Sequence, residues 1–406
     1  MKQTLLALTI AATSSATAFS ATPSPSANNT DNGQAKIYRS SKLSKMDQRV
    51  THPQTFDDQH GKKPFEKFHD ETFELQLLQM RNEYPDQAII VGGRFEAVAQ
   101  QWFGQATQNP AGGNYPRSGS HVFIHKAILD TAANINSWTT AFISIKASSS
   151  HDFGVNKAFV NFGNLNKTPF YASVGKDYLP FGLFSGGGPL THSLTRYAFR
   201  PDETVQATAG YFKHDVNVTG TILQDYHQSF NFLLNGSYQH TWDQYGFNVG
   251  TSYLNDLRNT SSGLGDDTTI QNGKVMGAWD INGVVSYWQL ATKAEYLQAT
   301  SRNPVAGNDG AARSWYIAES YTPTIYGKQT TFNLGFSRTY NMRNVPLPLP
   351  GSGGTLKPAS GLKYQWVGNV TREVLHDTFL SVEYVYDVTY AQKSSNTINL
   401  DFNIYF

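Results

Sequence analysis

Two pairs of opposite charges in the sequence are each separated by a single residue. Arg94 and Glu96 stand in "RFE", and Lys293 and Glu295 stand in "KAE". Residues i and i+2 of an extended strand point to the same side, so each pair would meet on one face. Such a pair could act as a general acid and base, but it more often forms a structural ion pair. The spacing therefore favours two salt networks over catalytic machinery.

The histidines offer little further chemistry. His192 and Ser193 are neighbours, and strand neighbours point to opposite faces, so they make a poor base and nucleophile. His121 and His125 share a face but stand about 13 Å apart on an extended strand, too far to bind one metal ion. The chain has no cysteine and no GxSxG motif, and "GSGG" at 351–354 lacks the strand and helix of a phosphate loop. We predict no enzyme activity, no cofactor and no metal site.

The densest set of candidate binding residues lies between positions 175 and 201, in "GKDYLPFGLFSGGGPLTHSLTRYAFRP". This segment carries the aromatic residues Tyr178 and Phe181 and the cations Arg196 and Arg200. Its prolines and glycines argue against a regular strand and predict a long loop. What this loop can bind depends on the elements that position it.

Those elements are strands. In "TFLSVEYVYDV", Leu380, Val382 and Tyr384 share one face, and Ser381 and Glu383 share the other. Similar alternation recurs from residue 88 to the end of the chain. No later segment has the roughly 20 consecutive apolar residues that a membrane-spanning helix requires.

The predicted strands number sixteen, and their connections alternate in length. Five of the connections after odd-numbered strands are long and rich in Gly and Pro, whereas those after even-numbered strands are tight. This asymmetry is typical of a bacterial outer-membrane barrel. We therefore predict an all-β fold, a transmembrane antiparallel β-barrel of about 16 strands, preceded by a short partly helical or disordered N-terminal segment. "LTRYAFR" at 194–200 is assigned to a loop, because a seventeenth strand would leave the barrel with an odd number.

The ends of the chain fit this architecture. Residues 1–18 have the layout of a secretory signal peptide, with cleavage after residue 18 or within three residues of it. Residues 19–87 form a periplasmic or plug-like segment with a short helix near 70–82, and residues 88–406 form the barrel. The final "NTINLDFNIYF" is predicted to be the sixteenth strand, closing against the first at "IIVGGRFEAVA". The predicted location is the bacterial outer membrane, after export across the inner membrane.

The alternation also separates a lumen face from a lipid face. A Lys or Arg on the lipid face costs about 2 to 4 kcal/mol at the bilayer centre, so the charges are assigned to the lumen. A barrel of sixteen strands is wide enough for an aqueous channel. The long loop at 179–202 could fold into the lumen and narrow it, or could only cover the external mouth. The candidates for solute contact are Arg94, Glu96, Lys157, Tyr178, Phe181, Arg196, Arg200, Lys293 and Glu295.

The charge balance argues against nucleic acid as a partner. The chain has 32 Lys and Arg against 31 Asp and Glu, a formal net charge of +1, so it lacks a basic field. Its mean hydropathy of −0.43 is too low for a helical membrane protein but suits a barrel with a wet lumen.

Three stretches together resemble the LbtU family of siderophore porins from gammaproteobacterial outer membranes. They are "NINSW" at 134–138, "VGKDYLPFGLFSGGGP" at 174–189 and "ETVQATAGYFKHDVNVTG" at 203–220. The resemblance covers residues 88–406 and implies uptake of an iron–siderophore or similar small anionic chelate through a sixteen-stranded barrel. It supplies no binding residues position by position.

The predicted function is therefore passage of such a chelate without the folded plug of energy-coupled receptors, which have 22 strands. Arg94, Arg196 and Arg200 are the residues expected to line the selective path. A general diffusion porin and an adhesin or envelope scaffold are the alternatives. The predicted partners are outer-membrane lipid, the chelate or another small solute, and the outer-membrane assembly machinery; the oligomeric state is open.

Overall fold

The computed structural model describes residues 36–40, 43, 73–104, 107–108, 118–149, 151–184, 188–224, 230–242, 244–258, 260, 262–265, 274–302, 310–345, 357–358 and 361–406. The predicted signal peptide and most of the predicted N-terminal segment before residue 73 lie outside the described residues.

Strands dominate the described residues, and sixteen of them have at least eight residues. Helix α1 (Phe73–Met80) continues into a 3₁₀ turn at Arg81–Glu83, and α2 is Leu194–Phe199. The strands are β1 (Lys36–Arg39), β2 (Ala88–Gly104), β3 (Thr107–Gln108), β4 (Ser118–Asn136), β5 (Thr139–Ser148), β6 (His151–Gly163), β7 (Phe170–Asp177), β8 (Thr204–Lys213), β9 (Val216–Gln224), β10 (Phe230–Thr241), β11 (Tyr245–Leu254), β12 (Ala278–Tyr287), β13 (Leu290–Arg302), β14 (Ala311–Tyr321), β15 (Thr324–Ile325), β16 (Lys328–Tyr340), β17 (Lys357–Pro358), β18 (Leu362–Leu375), β19 (Thr378–Thr389) and β20 (Ser394–Tyr405).

The sixteen long strands form one closed antiparallel barrel. Each pairs with the next long strand in chain order, and β20 pairs with β2 in a register that runs from Tyr405 opposite Arg94 to Ser395 opposite Gly104. Closure pairs the first long strand with the last, which removes the two edge strands that an open sheet would have. The predicted all-β antiparallel barrel of sixteen strands is confirmed.

The period-two pattern divides each strand into an inward and an outward face. In β20, Thr397, Asn399 and Asp401 are buried, whereas Ile398 and Leu400 between them are exposed. The outward face is thus apolar and the inward face polar, which is the reverse of a soluble barrel. Neither helix in the described part of the chain is long or apolar enough to cross a membrane.

A β-bulge shifts this alternation on the wall formed by β2 and β4. Glu96 pairs with Lys126 but Ala97 pairs with Ile124, so His125 is an extra residue of β4. A bulge moves the following residues to the opposite parity. Lys126 therefore faces inward although Val122 and Ile124, which share its parity, are exposed.

Helix α1 packs against the inward face of the barrel. The Phe73 ring lies 4.7 Å from that of Phe142 and 5.9 Å from that of Phe159, and the Asn161 side chain donates to the carbonyl of Glu74 at 2.9 Å. Seven of its eight residues are buried, so the barrel encloses the helix on most sides. Helix α1 falls within the range where the sequence predicted a helix, 70–82, and it lies against the inner face of the barrel.

Part of the predicted disordered tract is ordered. Strand β1 pairs in parallel with β2, with Lys36 opposite Ala88 and Arg39 opposite Val91. Leu43 follows and packs in the same apolar cluster as Leu77. The first residues of β2 extend beyond the end of β20, which leaves an edge that β1 covers.

Candidate functional site

The described residues of the connection between β7 and β8, 178–184 and 188–203, fold into the barrel, and we call this connection the inner loop. Its helix α2 packs against β13, β14, β16 and β18, which lie across the lumen from β7. Gly182 and Phe184 both have a positive φ, 68° and 48°, and at Gly182 the lack of a Cβ suits this left-handed conformation. Of the two alternatives for this loop, the contacts agree with the one that places it inside the lumen.

Glu295 of β13 anchors the first half of the inner loop. One carboxylate oxygen accepts the backbone N–H groups of Leu183 at 2.6 Å and Phe184 at 3.0 Å, and the other accepts the Thr195 hydroxyl at 2.8 Å. The N–H of Gly182 is directed to Ser252 Oγ of β11 at 3.1 Å. Three donors of the loop thus converge on one carboxyl group, which makes this a firm attachment.

Glu383 of β19 anchors the second half. Its Oε2 accepts the N–H groups of Leu190 at 3.3 Å and Thr191 at 3.1 Å, and its Oε1 accepts the Thr191 hydroxyl and, at 2.8 Å, the Asn399 amide. A Cβ on Gly188 would overlap Glu383 Oε2, so only glycine lets the backbone approach this carboxylate. The inner loop is therefore held at two points on the far wall.

An apolar cluster fills the space between these two anchors. Phe181, Phe184 and Phe199 of the inner loop pack with Leu233 and Leu297, which point inward from β10 and β13. Burial of these aromatic side chains removes apolar surface from water and fixes the loop position. Phe181, a predicted contact residue, is fully buried in this cluster and acts in packing.

A column of alternating aromatic and cationic groups joins the inner loop to α1. Lys157 Nζ lies 4.3 Å from the Phe73 ring centre and 5.0 Å from that of Tyr178, and the Arg200 guanidinium lies 3.6 Å from the same Tyr178 ring. Lys157 also pairs with Asp177 at 3.0 Å. Burial raises the pKa of the Tyr178 phenol, so the ring stays neutral between its two cations.

The predicted pair Arg94 and Glu96 does form an ion pair. Arg94 Nη2 lies 2.8 Å from Glu96 Oε2, and Arg94 Nε donates to Asn403 Oδ1 at 2.9 Å. Arg94 is only 5% exposed and Glu96 is fully buried, so the pair belongs to the wall. Lys126 Nζ lies 3.7 Å from the same Glu96 oxygen, yet its side chain is 19% exposed.

The inward carboxylates are almost completely enclosed. The expected aqueous lining is therefore not seen at these positions, and at Glu295 and Glu383 the inner loop covers the carboxyl group. The inward wall residues that are at most 3% exposed are Glu96, Asp130, Asp177, Asp280, Glu295, Glu383, Asp387 and Asp401.

Partly exposed cations lie beside these buried acids. Lys126 is within electrostatic range of Arg94, Lys146 and Arg196, and Lys126, Lys146, Arg196 and Arg200 all retain some exposure. We call Lys126, Lys146 and Arg196 the cation cluster. Its accessible charge is positive, because the nearby Glu96 is buried. Such a surface suits a small anion.

Comparisons with known proteins place the chain in a family. The family model described as "Protein of unknown function (DUF3573)" matches residues 59–269, more than half of the chain. The chain belongs to the DUF3573 family. The matched residues of this DUF3573 protein include α1, the cation cluster and the inner loop.

Relatives of this DUF3573 protein occur in Coxiella burnetii and Legionella pneumophila. A UPF0422 protein of Coxiella burnetii is 25% identical over 349 residues, which cover 74% of this chain and 70% of that protein. A UPF0422 protein of Legionella pneumophila strain Lens is 25% identical over 308 residues, or 64% of this chain and 53% of that protein. The match thus spans about half the length of the Legionella relative.

Solved porins share the fold of this DUF3573 protein. Pseudomonas putida OprB superposes with a TM-score of 0.52 at 7% identity, over 78% of this chain and 94% of that one. An anion-selective porin from Comamonas acidovorans gives 0.52 at 10% identity, over 78% and 99%. The Acinetobacter baumannii outer membrane channel DcaP gives 0.51 at 11% identity, over 78% and 97%. At such identities the likeness is one of fold.

The predicted site residues separate into three groups in the structure. Arg94, Glu96, Lys157 and Lys293 are buried in the wall. Glu295, Phe181 and Tyr178 hold the inner loop, which leaves Arg196 and Arg200 as the partly exposed cations. The described residues contain no group of three or more His, Asp or Glu side chains that could hold a metal ion.

Lys126, Lys146 and the anchoring role of Glu383 were not predicted from the sequence. The signal for Lys126 is the shift of the apolar parity from Val122 and Ile124 to Ala127 and Leu129, which marks the bulge. Glu383 was assigned to the lumen by parity. The contact of Glu383 with Leu190 and Thr191 of the inner loop has no sequence signal, because these residues are almost 200 positions apart in the chain.

Proposed function

We propose that this DUF3573 protein is an outer-membrane channel for small anionic solutes. The observation that carries the proposal is the cation cluster: its members keep solvent exposure, whereas the inward carboxylates near them have almost none. An anion entering the barrel would therefore meet accessible positive charge. The porin fold and the apolar outward face support the membrane location.

Within this class we propose an iron–siderophore or similar chelate as the solute. The support is the resemblance of residues 174–189 and their flanking stretches to LbtU siderophore porins. Many ferric chelates are compact anions, and the cation cluster offers both monodentate lysine and bidentate arginine donors. Arg196 and Arg200 would then select the solute, while Arg94 supports them from the wall.

We propose that the chain has three parts with separate roles. Residues 1–18 direct export, residues 19–87 act as an internal plug through α1, and residues 88–406 form the channel. Outer-membrane lipid surrounds the barrel, and the assembly machinery inserts it through the closing strand.

A second candidate is an adhesin or scaffold barrel, which the enclosed carboxylates favour. A plugged barrel would present its outer loops to partners without passing solute. A general diffusion porin is less well supported, because the inner loop and α1 both narrow the lumen.

The experiment is a comparison of uptake and conductance with the purified full chain. Proteoliposomes should take up a ferric siderophore faster than a neutral sugar of similar mass, and planar bilayers should show chloride selectivity. Equal uptake of both solutes would support a diffusion porin. A silent bilayer together with no uptake would overturn the channel and leave the scaffold.

A further inference from the structure

Two arginines stand on the outward face of the barrel, where charges are uncommon. Arg313 of β14 and Arg338 of β16 share the parity of Ile317 and Phe336, which point outward. Each guanidinium lies over the ring of Tyr340, at 4.7 Å for Arg313 and 4.8 Å for Arg338. One tyrosine is thus held between two cations.

The position of this arginine pair along the strands is specific. Tyr321, at the other end of β14 on the same face, is eight residues from Arg313, which is about 26 Å along a strand and roughly 20 Å along the normal to the membrane after tilt. The apolar band of an outer-membrane barrel is about 25 Å tall. The Arg313 backbone therefore lies about 5 Å below the edge of that band at the end with the long loops, and its long side chain can reach that edge.

Aromatic residues lie directly beneath the pair. The Trp315 ring packs at a tilt against Phe336 with ring centres 5.3 Å apart, and Phe336 packs at a tilt against Trp366 at 4.6 Å. This is the position of an interfacial aromatic girdle, below which acyl chains would lie. The arginines thus stand where headgroups meet acyl chains.

The neighbours of the pair do not neutralise it. Arg313 lies opposite Gln298 and Tyr340, and Arg338 lies opposite Trp315 and Tyr364. Among the described residues neither arginine forms an ion pair, and Arg338 Nε is buried without an acceptor. The two arginines occupy diagonal positions, so their Cβ atoms are about 7 to 8 Å apart. Two like charges at this separation favour an anion between them.

We propose that Arg313 and Arg338 bind the phosphate of a phosphorylated glycolipid in the outer leaflet. Both guanidiniums can donate pairs of hydrogen bonds to phosphate oxygens, and stacking on Tyr340 limits their motion. The acyl chains of the same lipid would pack on Trp315, Phe336 and Trp366. This inference rests on the outer-membrane location in the proposed function, but it concerns the outer wall and not the lumen.

Native mass spectrometry of the full-length barrel in detergent tests the site with bisphosphorylated lipid A as the probe. The R313Q/R338Q variant should bind this lipid about tenfold more weakly than the unchanged chain. Dephosphorylated lipid A should bind both proteins equally weakly. R372Q is the matched control, because Arg372 lies at the short-turn end of β18 and donates to Thr330 and Ile325.

Several outcomes would overturn the proposal. Equal binding by the unchanged chain and R313Q/R338Q, or an equal loss in R372Q, would remove the specific site. If inorganic phosphate at the same concentration as the lipid displaced bisphosphorylated lipid A, the two arginines would form a site for a free anion instead of a lipid.

Conductance separates this inference from the proposed function. R313Q/R338Q should conduct like the unchanged chain, because both residues lie outside the lumen. A barrel that binds the phosphorylated lipid but never conducts would refute the channel alone. A conducting barrel that binds both lipids equally would refute the lipid site alone.

Discussion

The phenyl ring of Phe406 lies over the Cα of Gly93, so closely that a Cβ at position 93 would overlap the ring. The two backbones also exchange hydrogen bonds, from Gly93 N to Phe406 O at 2.8 Å and from Phe406 N to Gly93 O at 3.0 Å. These contacts extend the pairing of β2 with β20 and form the seam of the barrel.

Gly93→Ala should therefore lower the yield of closed barrel. The added methyl group must displace the Phe406 ring, and overpacking of this kind costs about 1 to 3 kcal/mol. Heat-modifiable migration of unboiled protein measures the folded fraction. Gly236→Ala is the control, since a Cβ there meets open space, and equal loss in both variants would contradict the role of the seam. Phe406→Asp should fail at assembly as well.

Glu383→Gln should loosen the inner loop and raise single-channel conductance. Glu383 accepts two backbone N–H groups and a hydroxyl from the loop, and a typical intramolecular hydrogen bond contributes about 0.5 to 1.5 kcal/mol. Glu295→Gln should act in the same direction. Glu319→Gln removes an exposed outward carboxylate and should leave conductance unchanged. If both anchor variants conduct like the unchanged chain, the loop does not gate the lumen.

Lys157→Met should destabilise the barrel strongly, because it leaves Asp177 as a buried charge without its partner. Breaking such a pair costs about 3 to 5 kcal/mol. The Lys157→Met, Asp177→Asn double variant should recover much of that loss. Urea unfolding, followed by tryptophan fluorescence, gives the free energy of unfolding of the unchanged chain, both single variants and the double variant. Strictly additive losses in this double-mutant cycle would show that the two residues do not interact.

Removal of charge from the cation cluster should reduce anion preference. Lys126→Gln, Lys146→Gln and Arg196→Gln should each shift the reversal potential in a potassium chloride gradient toward cation selectivity, and the triple variant should shift it most. Lys213→Gln, at an exposed turn, supplies the same charge change away from the lumen. A shift of the same size in that control would indicate a general charge effect.

Acidification should destabilise the inner loop through His192. Burial lowers the pKa of His192 well below its usual value, and the nearby Arg196, Lys126, Arg200 and His125 lower it further. The unfolded state therefore binds a proton that the folded state resists, so stability falls as pH drops below about 6.5. Conductance should rise between pH 7 and pH 5. His192→Gln should weaken this dependence, and an identical profile in the variant would exclude His192 as its source.

The alternation of apolar and polar residues along the sequence determined the barrel. Alternating residues from Ala88 onward assigned each strand face, and the unequal connections fixed the strand number and the closing partners, because both signals are local. The tertiary structure decided what fills the lumen. The inward position of the inner loop depends on its hydrogen bonds to Glu295 and Glu383. Both residues lie more than 90 positions further along the chain, so no local pattern predicts these contacts.

The exposure of individual charges also required the fold. Parity placed Arg94, Glu96 and Lys157 inside, where all three are buried. Lys157 is covered by Phe73 of α1 and Tyr178 of the inner loop, while the bulge at His125 turned Lys126 inward. A sequence pattern reports which face a side chain takes. Only the packed structure shows which of those side chains water can still reach, because that depends on segments distant in the chain.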